Sequence, residues 1–428
     1  MTSTKLKQIA RYLGKRENAL AFGIVSDPRK KRGRRWTLRS LLTATFISMV
    51  AMEKNFRGVE RLTADLRGAG QRLGIRRRVP DSTLARLYAH LDDEEGLRQV
   101  LINSIKEAKR RKSLEPTELP ISMVAIDGKT IWRGPAPVDD PACQDISQDA
   151  VPVFRLHTLH AVLTSVRSQP CIDQLLVPKE TNEMGALPLF IEGLVEAYGK
   201  NFIEVVTVDA GMTSAHNAEV ITSAEMRYVM ALKETQPTLL RETERLCGKG
   251  AHKQVGIVCD EATPWERYRG ASIRRQLFRS DEIKSWLGWP SARQVWRVKQ
   301  TTKKDDGTTV VENRYFVTSL PKDRLSGAEI LTLVRKHWGV ENGLHWTVDV
   351  MLGEDDHPWC TKGRALRMLS WMRLLAYNAL RFLRDRYLRG DASRRMPWDE
   401  LRRAITLALA TAAAWRCLDS AGATAATL

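Results

Sequence analysis

Two short apolar runs, each stopping on an aspartate, constrain this chain more than anything else in it. Val124-Ala125-Ile126 leads into Asp127-Gly128-Lys129, and Val205-Val206-Thr207-Val208 leads into Asp209-Ala210-Gly211. In α/β sheets the carboxyl ends of strands gather reactive groups into one crevice. If the two strands are neighbours, the two carboxylates face each other. Like charges that close are unfavourable unless a cation lies between them or one is protonated. Hard oxygen ligands select Mg2+ or Mn2+. A third carboxylate, supplied by a helix, would complete a two-metal site, and Glu341 is the candidate. A single strand-end aspartate is as readily a turn or cap residue, so the argument rests on the trio.

The surrounding pattern fits such a sheet. Strands are expected at Ile121–Ile126, Leu156–Ser165, Pro170–Val177, Ile203–Val208 and Tyr228–Leu232, and helices near 183–198, 214–225 and 237–246. That order predicts a mixed sheet with helices on its faces, an α/β core. Residues 248–325 interrupt it with β-rich material, in which Gln294–Thr302 and Thr308–Thr318 flank an Asp-Gly turn. Ser326-Gly327-Ala328-Glu329 then forms a capping box that opens a helix running through Arg335, His337 and Glu341.

Upstream, residues 1–115 read as helical, with segments near 6–17, 37–52, 56–67, 81–91 and 94–112. Thr37 and Asp81 are the expected caps. The chain divides into an N-terminal helical domain (1–115), the first part of the core (116–247), the β-rich insertion (248–325), the helix with the third carboxylate (326–360) and a C-terminal helical region (361–428). The last of these ends in an Ala/Thr-rich tail expected to fray.

Charge follows these divisions. The net charge is +18. Residues 1–115 hold 27 Lys+Arg against 12 Asp+Glu, residues 361–428 hold 13 against 5, and the middle holds 28 against 33. Two basic flanks around an acidic centre suit an enzyme that concentrates carboxylates around metal ions and leaves polyanion binding to its flanks. The densest basic clusters are Arg29-Lys30-Lys31-Arg32-Gly33-Arg34-Arg35 and Arg76-Arg77-Arg78. They are candidate DNA contacts; the bland reading is a solvated face. The longest apolar stretch, Leu41–Met52, has 12 residues, short of the roughly 20 a membrane span needs. No secretory signal pattern opens the sequence, and the six cysteines form no C-x-x-C pair. Both features fit a cytoplasmic, nucleoid-associated protein.

Four blocks occur in order: Asp127-Gly128-Lys129-Thr130; Val208-Asp209-Ala210-Gly211-Met212; Ala231-Leu232-Lys233-Glu234-Thr235-Gln236-Pro237-Thr238-Leu239; and His337-Trp338-Gly339-Val340-Glu341-Asn342-Gly343-Leu344-His345-Trp346. The set closely resembles the insertion-sequence transposases of the ISAs type, which include the H-repeat-associated proteins. Lys179-Glu180-Thr181-Asn182-Glu183 looks like a further short block of that family. The resemblance implies a ribonuclease-H-like core with an Asp-Asp-Glu triad, which Asp127, Asp209 and Glu341 match with gaps of 82 and 132 positions. It also implies Mg2+ (or Mn2+), double-stranded DNA as the partner, and a homodimer or larger synaptic complex holding both transposon ends. The expected activity is cleavage at terminal inverted repeats followed by strand transfer. A nuclease that cuts without joining, or a silent DNA-binding descendant, would share these features.

The wider superfamily carries a Tyr/Arg/Glu/Lys helix signature from which this chain departs. Leu333 or Val334 stands at the tyrosine position, His337 at the arginine and Val348 at the lysine. Phosphate contacts are therefore expected from Arg335, Lys336, His337 or His345, and from Lys129, Arg133 and Lys233 near the strand ends. His337, Glu341 and His345 share one helical face, so they could also be a zinc cluster, or the histidines could be packing partners. Trp338 and Trp346 read as core residues, with stacking on an unpaired base as the alternative. Glu354-Asp355-Asp356 is a second candidate for the third ligand.

Overall fold

A computed structural model describes residues 3–32, 34–148, 151–248, 259–283, 288–355, 359–388, 390, 395–411 and 415. Asp356 and the Ala/Thr-rich tail lie outside the described residues. Six helices open the chain: α1 (Ser3–Ala19), α2 (Leu38–Val50), α3 (Phe56–Asp65), α4 (Arg67–Arg72), α5 (Asp81–His90) and α6 (Glu94–Arg110). The Thr37 hydroxyl caps α2 as expected, accepting from the Ser40 N–H at 3.1 Å. Asp81 does not cap α5. It lies inside the first turn, and its N–H donates to Glu60 at 3.1 Å. α2 is apolar around nearly its whole circumference and is buried accordingly.

The sheet begins with β1 (Met123–Gly134), β2 (Gln144–Asp145), β3 (Phe154–Leu163) and β4 (Cys171–Leu176), followed by α7 (Glu183–Tyr198), β5 (Val205–Val208), α8 (Ala215–Ser223), β6 (Arg227–Leu232) and α9 (Pro237–Cys247). β1, β3 and β4 form an antiparallel meander, and β5 and β6 continue it in parallel from the other side of β1. The parallel steps each require a crossover, which α7 and α8 supply. This α/β arrangement, with strand order β4-β3-β1-β5-β6, is consistent with the ribonuclease-H-like core expected from the sequence.

The β-rich segment does not stand apart. Its strands are β7 (Glu261–Ala262), β8 (Glu266–Tyr268), β9 (Ala271–Ser280), β10 (Gln294–Lys304) and β11 (Thr309–Thr318). β11 pairs with β6, so these strands prolong the core sheet. The β10–β11 turn closes at Gly307, whose φ of +85° is where glycine is favoured. Next comes α10 (Gly327–His337), opened by the Ser326–Glu329 capping box, which continues into π-helical stretches at Val340–His345 and Thr347–Met351.

The end of the chain differs most from expectation. α11 (Gly363–Phe382) is not a basic flank but a central pillar, buried along nearly its whole length and packed on α2, α5, α6 and β4. One continuous apolar core runs from α1 through this helix to the sheet. Its polar groups therefore need internal partners. Asn378 pairs with both the N–H and C=O of Cys171, at 2.8 and 2.7 Å. Arg367 meets Asp140 at 2.8 Å, Arg373 meets Glu354 at 3.2 Å, and Arg381 donates to the Ser168 carbonyl at 2.7 Å. Three of this helix's four arginines are thus paired inside rather than presented to solvent. α12 (Trp398–Ala410) closes the bundle against α1. No helix among the described residues is long and apolar enough to cross a membrane.

Candidate active site

β1 does not stop at Asp127 as the sequence suggested; it runs on to Gly134 against β3. Its parallel pairing with β5 does stop there, the last partners being Ile126 and Val208. Asp127 and Asp209 are thus each one residue past the end of a shared ladder, side by side. Asp209 opens a tight turn, its carboxylate accepting from the Gly211 and Met212 N–H groups at 2.9 and 3.2 Å. Glu341 comes in on the first π-helical stretch and is exposed. π-Helical insertions recur at functional sites.

Asp127 feels both of the other acids. Burial first, then Glu341 and Asp209, push the Asp127 carboxyl up to about 8, against the opposing Gly128 N–H. Burial and Glu183 raise Asp209, while the Met212 and Gly211 N–H groups and Lys233 oppose the rise. No cationic side chain is among the largest influences on Asp127. Hard carboxylate oxygens with unbalanced negative charge fit a divalent cation such as Mg2+ or Mn2+. Among the described residues, no group of three or more His, Cys, Asp or Glu side chains is gathered tightly enough to cage an ion. Mg2+ commonly takes one or two carboxylates and leaves its other positions to water and substrate phosphate.

Sequence reasoning gave no role to a fourth acid, Glu183, which lies within the electrostatic reach of both aspartates. Asn182 caps α7, accepting from the Gly185 N–H at 3.1 Å, and so sets Glu183 in the first turn. There it meets His157 Nε2 at 2.6 Å, and His157 Nδ1 meets the Thr130 hydroxyl at 3.1 Å. The hydrogen bond to His157 holds the Glu183 carboxyl below its usual range. The pair lies against Gly128, where a Cβ would come 1.9 Å from Glu183 Oε1 and 2.7 Å from His157 Nε2. A Cβ after Asp127 would therefore push this pair aside. The Lys-Glu-Thr-Asn-Glu block was the available signal; nothing local marked His157.

Several expected phosphate contacts have other partners. Lys129 is buried, its ammonium 2.5 Å from Asp349, 3.2 Å from Asp355 and 3.5 Å from Glu354. Glu354 and Asp355 are thereby engaged with Lys129 rather than free as an alternative third ligand. Lys336 is buried against Glu118 at 3.1 Å, and Arg335 meets Glu266 at 3.5 Å. His337 pairs with the Thr207 hydroxyl at 2.9 Å. His345 lies 3.7 Å from Asp127 and 3.2 Å from His160. Burial lowers His337 to about 4; burial, then Lys129 and His157, lower His345 to about 3. Both imidazoles are neutral near pH 7 and tie the Glu341 helix to β5, β1 and β3. Arg133 and Lys233 remain exposed.

The two N-terminal basic clusters come together. Arg77 stacks on Trp36, its guanidinium 5.4 Å from the ring centre, and the Ser40 hydroxyl donates to the Gly74 carbonyl at 3.0 Å. Lys30, Lys31, Arg32, Arg35, Arg76 and Arg77 are exposed around that junction. Arg29 and Arg34 turn partly inward to Asp27, at 2.9 and 3.4 Å, and Arg78 meets Glu60 at 3.0 Å.

Escherichia coli proteins are among those similar to the chain. "H repeat-associated putative transposase YhhI" of strain K12 is 26% identical over 64% of this chain and 67% of its own length. "Putative transposase YncI" of O157:H7 is 24% identical over 74% of this chain and 73% of its own. Among solved structures, a piggyBac transposase synaptic complex with hairpin DNA aligns at 10% identity and a TM-score of 0.44, covering 96% of this chain and 79% of that one. The family model described as "Transposase DDE domain" matches residues 118–379, which span every strand of the sheet, the acidic cluster and most of α11. The chain belongs to the DDE transposase family.

Proposed function

We propose that the chain binds the terminal inverted repeats of its element, cleaves the DNA to free 3′-hydroxyls and joins them to target DNA. The observation that carries this reading is that Asp127 and Asp209 follow the ends of one parallel ladder and that Asp127 feels both Asp209 and Glu341, acids from distant segments of the chain. Asp127, Asp209 and Glu341 would hold divalent ions, Mg2+ or Mn2+. Such ions lower the pKa of an attacking water and neutralise charge on the scissile phosphodiester. Asp127 and Asp209 are held by strand ends and a hydrogen-bonded turn, so they are preorganised. Glu341 rides on a helix whose position is set by His337 and His345. Lys233, exposed beside Asp209, meets a DNA phosphate, and Arg133 reaches the flanking backbone. The exposed patch of Lys30, Lys31, Arg32, Arg35, Arg76 and Arg77 supplies the salt-dependent affinity for duplex. A homodimer or larger complex would hold both ends, and a cytoplasmic, nucleoid-associated location would follow.

The test is a strand-transfer assay on labelled repeat ends with Mg2+. Wild-type protein yields joined product. Asp209→Asn abolishes cleavage and leaves end binding within a few fold, because the basic patch carries the affinity. Cutting by that variant at the wild-type rate would end the assignment. Cut product without joining would make the chain a nuclease, and bound but unreacted DNA would make it a silent binder.

A further inference from the structure

Glu341 is on the solvent side of its π-helical stretch, as is Trp346, 42% exposed where the sequence had suggested a core position for the tryptophan. Two residues to either side of Glu341, roughly half a turn away and so on the far face, stand Gly339 and Gly343. Neither position gives that face a side chain. What lies across it is the amide of Gln169. A Cβ on Gly339 would stand 3.2 Å from Gln169 Nε2, and one on Gly343 would stand 3.3 Å from Gln169 Oε1. Both are closer than ordinary van der Waals contact, so the two glycines let the amide seat against the helix backbone.

Gln169 is held there from behind, and held in strain. It belongs to the turn that joins β3 to β4, and its φ of +46° lies in the left-handed region that residues other than glycine rarely adopt. Such outliers persist only where the surroundings over-determine them, and they cluster at functional sites. The surroundings here are α11. Tyr377 donates its hydroxyl to the Gln169 carbonyl at 2.9 Å. Arg381, one helical turn further on, donates to Gln169 Oε1 at 3.0 Å and to the Ser168 carbonyl at 2.7 Å. Asn378 fixes Cys171, two residues past Gln169, through both backbone groups.

We propose that Gln169 is a positioning residue for the third acid: braced by α11, its side chain backs the glycine face of the Glu341 helix and fixes how far Glu341 reaches toward Asp127 and a shared divalent ion. His337 and His345 anchor the two ends of the stretch. Gln169 supports its middle, where the π-helical turns depart from the regular ladder. The inference rests on the reading of Glu341 as a metal-binding acid and adds the residue that sets its reach. Groups that orient a metal ligand from behind are commonly worth about 10- to 100-fold in metal affinity.

The test titrates Mn2+ into full-length wild type, Gln169→Gly, Gly343→Ala and the double variant, following free Mn2+ by electron paramagnetic resonance, with urea unfolding in parallel. Gln169→Gly should weaken Mn2+ binding about tenfold. Its urea midpoint should stay nearly unchanged, since glycine relieves the positive φ as the side-chain contacts are lost. Gly343→Ala should weaken binding as well, because its Cβ presses the amide and the helix apart. In the double variant that Cβ fills the space Gln169 leaves, so affinity should recover toward wild type rather than fall by the product of the two losses. The Mg2+ concentration for half-maximal cleavage should move in step, while the rate at saturating Mg2+ changes less. Glu341→Gln serves as the control. If it binds Mn2+ as wild type does, Glu341 is no ligand, and the metal assignment and the positioning role fall together. If it binds weakly while both single variants bind normally, or if the two losses multiply in the double variant, the positioning role alone is overturned.

Discussion

Replacing Lys129 with methionine removes a buried cation from among three acids, and the structure sets the size of the effect. Deleting one member of a buried ion pair costs about 3–5 kcal/mol, because a charge is left behind without its partner. The three acids do not suffer equally. Glu354 keeps Arg373 at 3.2 Å, and Asp355, 58% exposed, is taken over by water. Asp349 is the one stranded, with its side chain 25% exposed. Burial, opposed by Lys129, already places its carboxyl at about 6, so it can protonate at modest cost. The loss should therefore fall near the lower bound, about 3 kcal/mol in urea unfolding. Adding Asp349→Leu replaces the pair with apolar groups and should recover about 2 kcal/mol or more, a coupling readable from the double-mutant cycle. The effect should reach chemistry as well. Lys129 stands two residues from Asp127, and Asp349 eight residues beyond Glu341 on the same helical segment. Lys129 is in this sense a positioning residue. Its removal should raise the Mg2+ concentration for half-maximal cleavage about tenfold or more, as losses beside metal ligands commonly do. Lys233→Met, on the surface, should cost less than about 0.5 kcal/mol. A Lys129→Met variant within about 1 kcal/mol of wild type, with unchanged Mg2+ dependence, would refute this account.

Other perturbations are equally concrete. Gly128→Ala forces Glu183 and His157 off their present positions, and should cost about 1–3 kcal/mol in unfolding free energy and most of the cleavage activity. Arg35→Ala and Arg76→Ala should each weaken duplex binding uniformly across sequences and reduce the log–log salt slope by about 1, measured by anisotropy between low and physiological salt. Asn378→Leu orphans the N–H and C=O of Cys171 at the junction of α11 and the sheet. At about 1–3 kcal/mol per buried unsatisfied group, it should be among the more destabilising single changes, and chemical denaturation would measure it.

Much was legible in the sequence because it is local. Apolar runs ending in Asp127 and Asp209, the capping box at Ser326, the Thr37 cap and the Asp-Gly turn at 306–307 are each set by neighbours within a few residues. Glu341, 132 positions after Asp209, is marked as the candidate third acid by its capped helix and by the family blocks. Tertiary structure decided which charges are free. Lys129, Lys336 and the arginines of α11 look like DNA contacts in a composition count, yet each is spent on an acid or carbonyl distant in sequence. The sequence could not say so, because burial of a charge depends on what packs over it. The same holds for the Glu183–His157 pair, which exists only because α7 and β3 meet above Gly128. Periodicity names a helix and motifs name an acid; only the packed chain fixes which cations are left for a phosphate to meet.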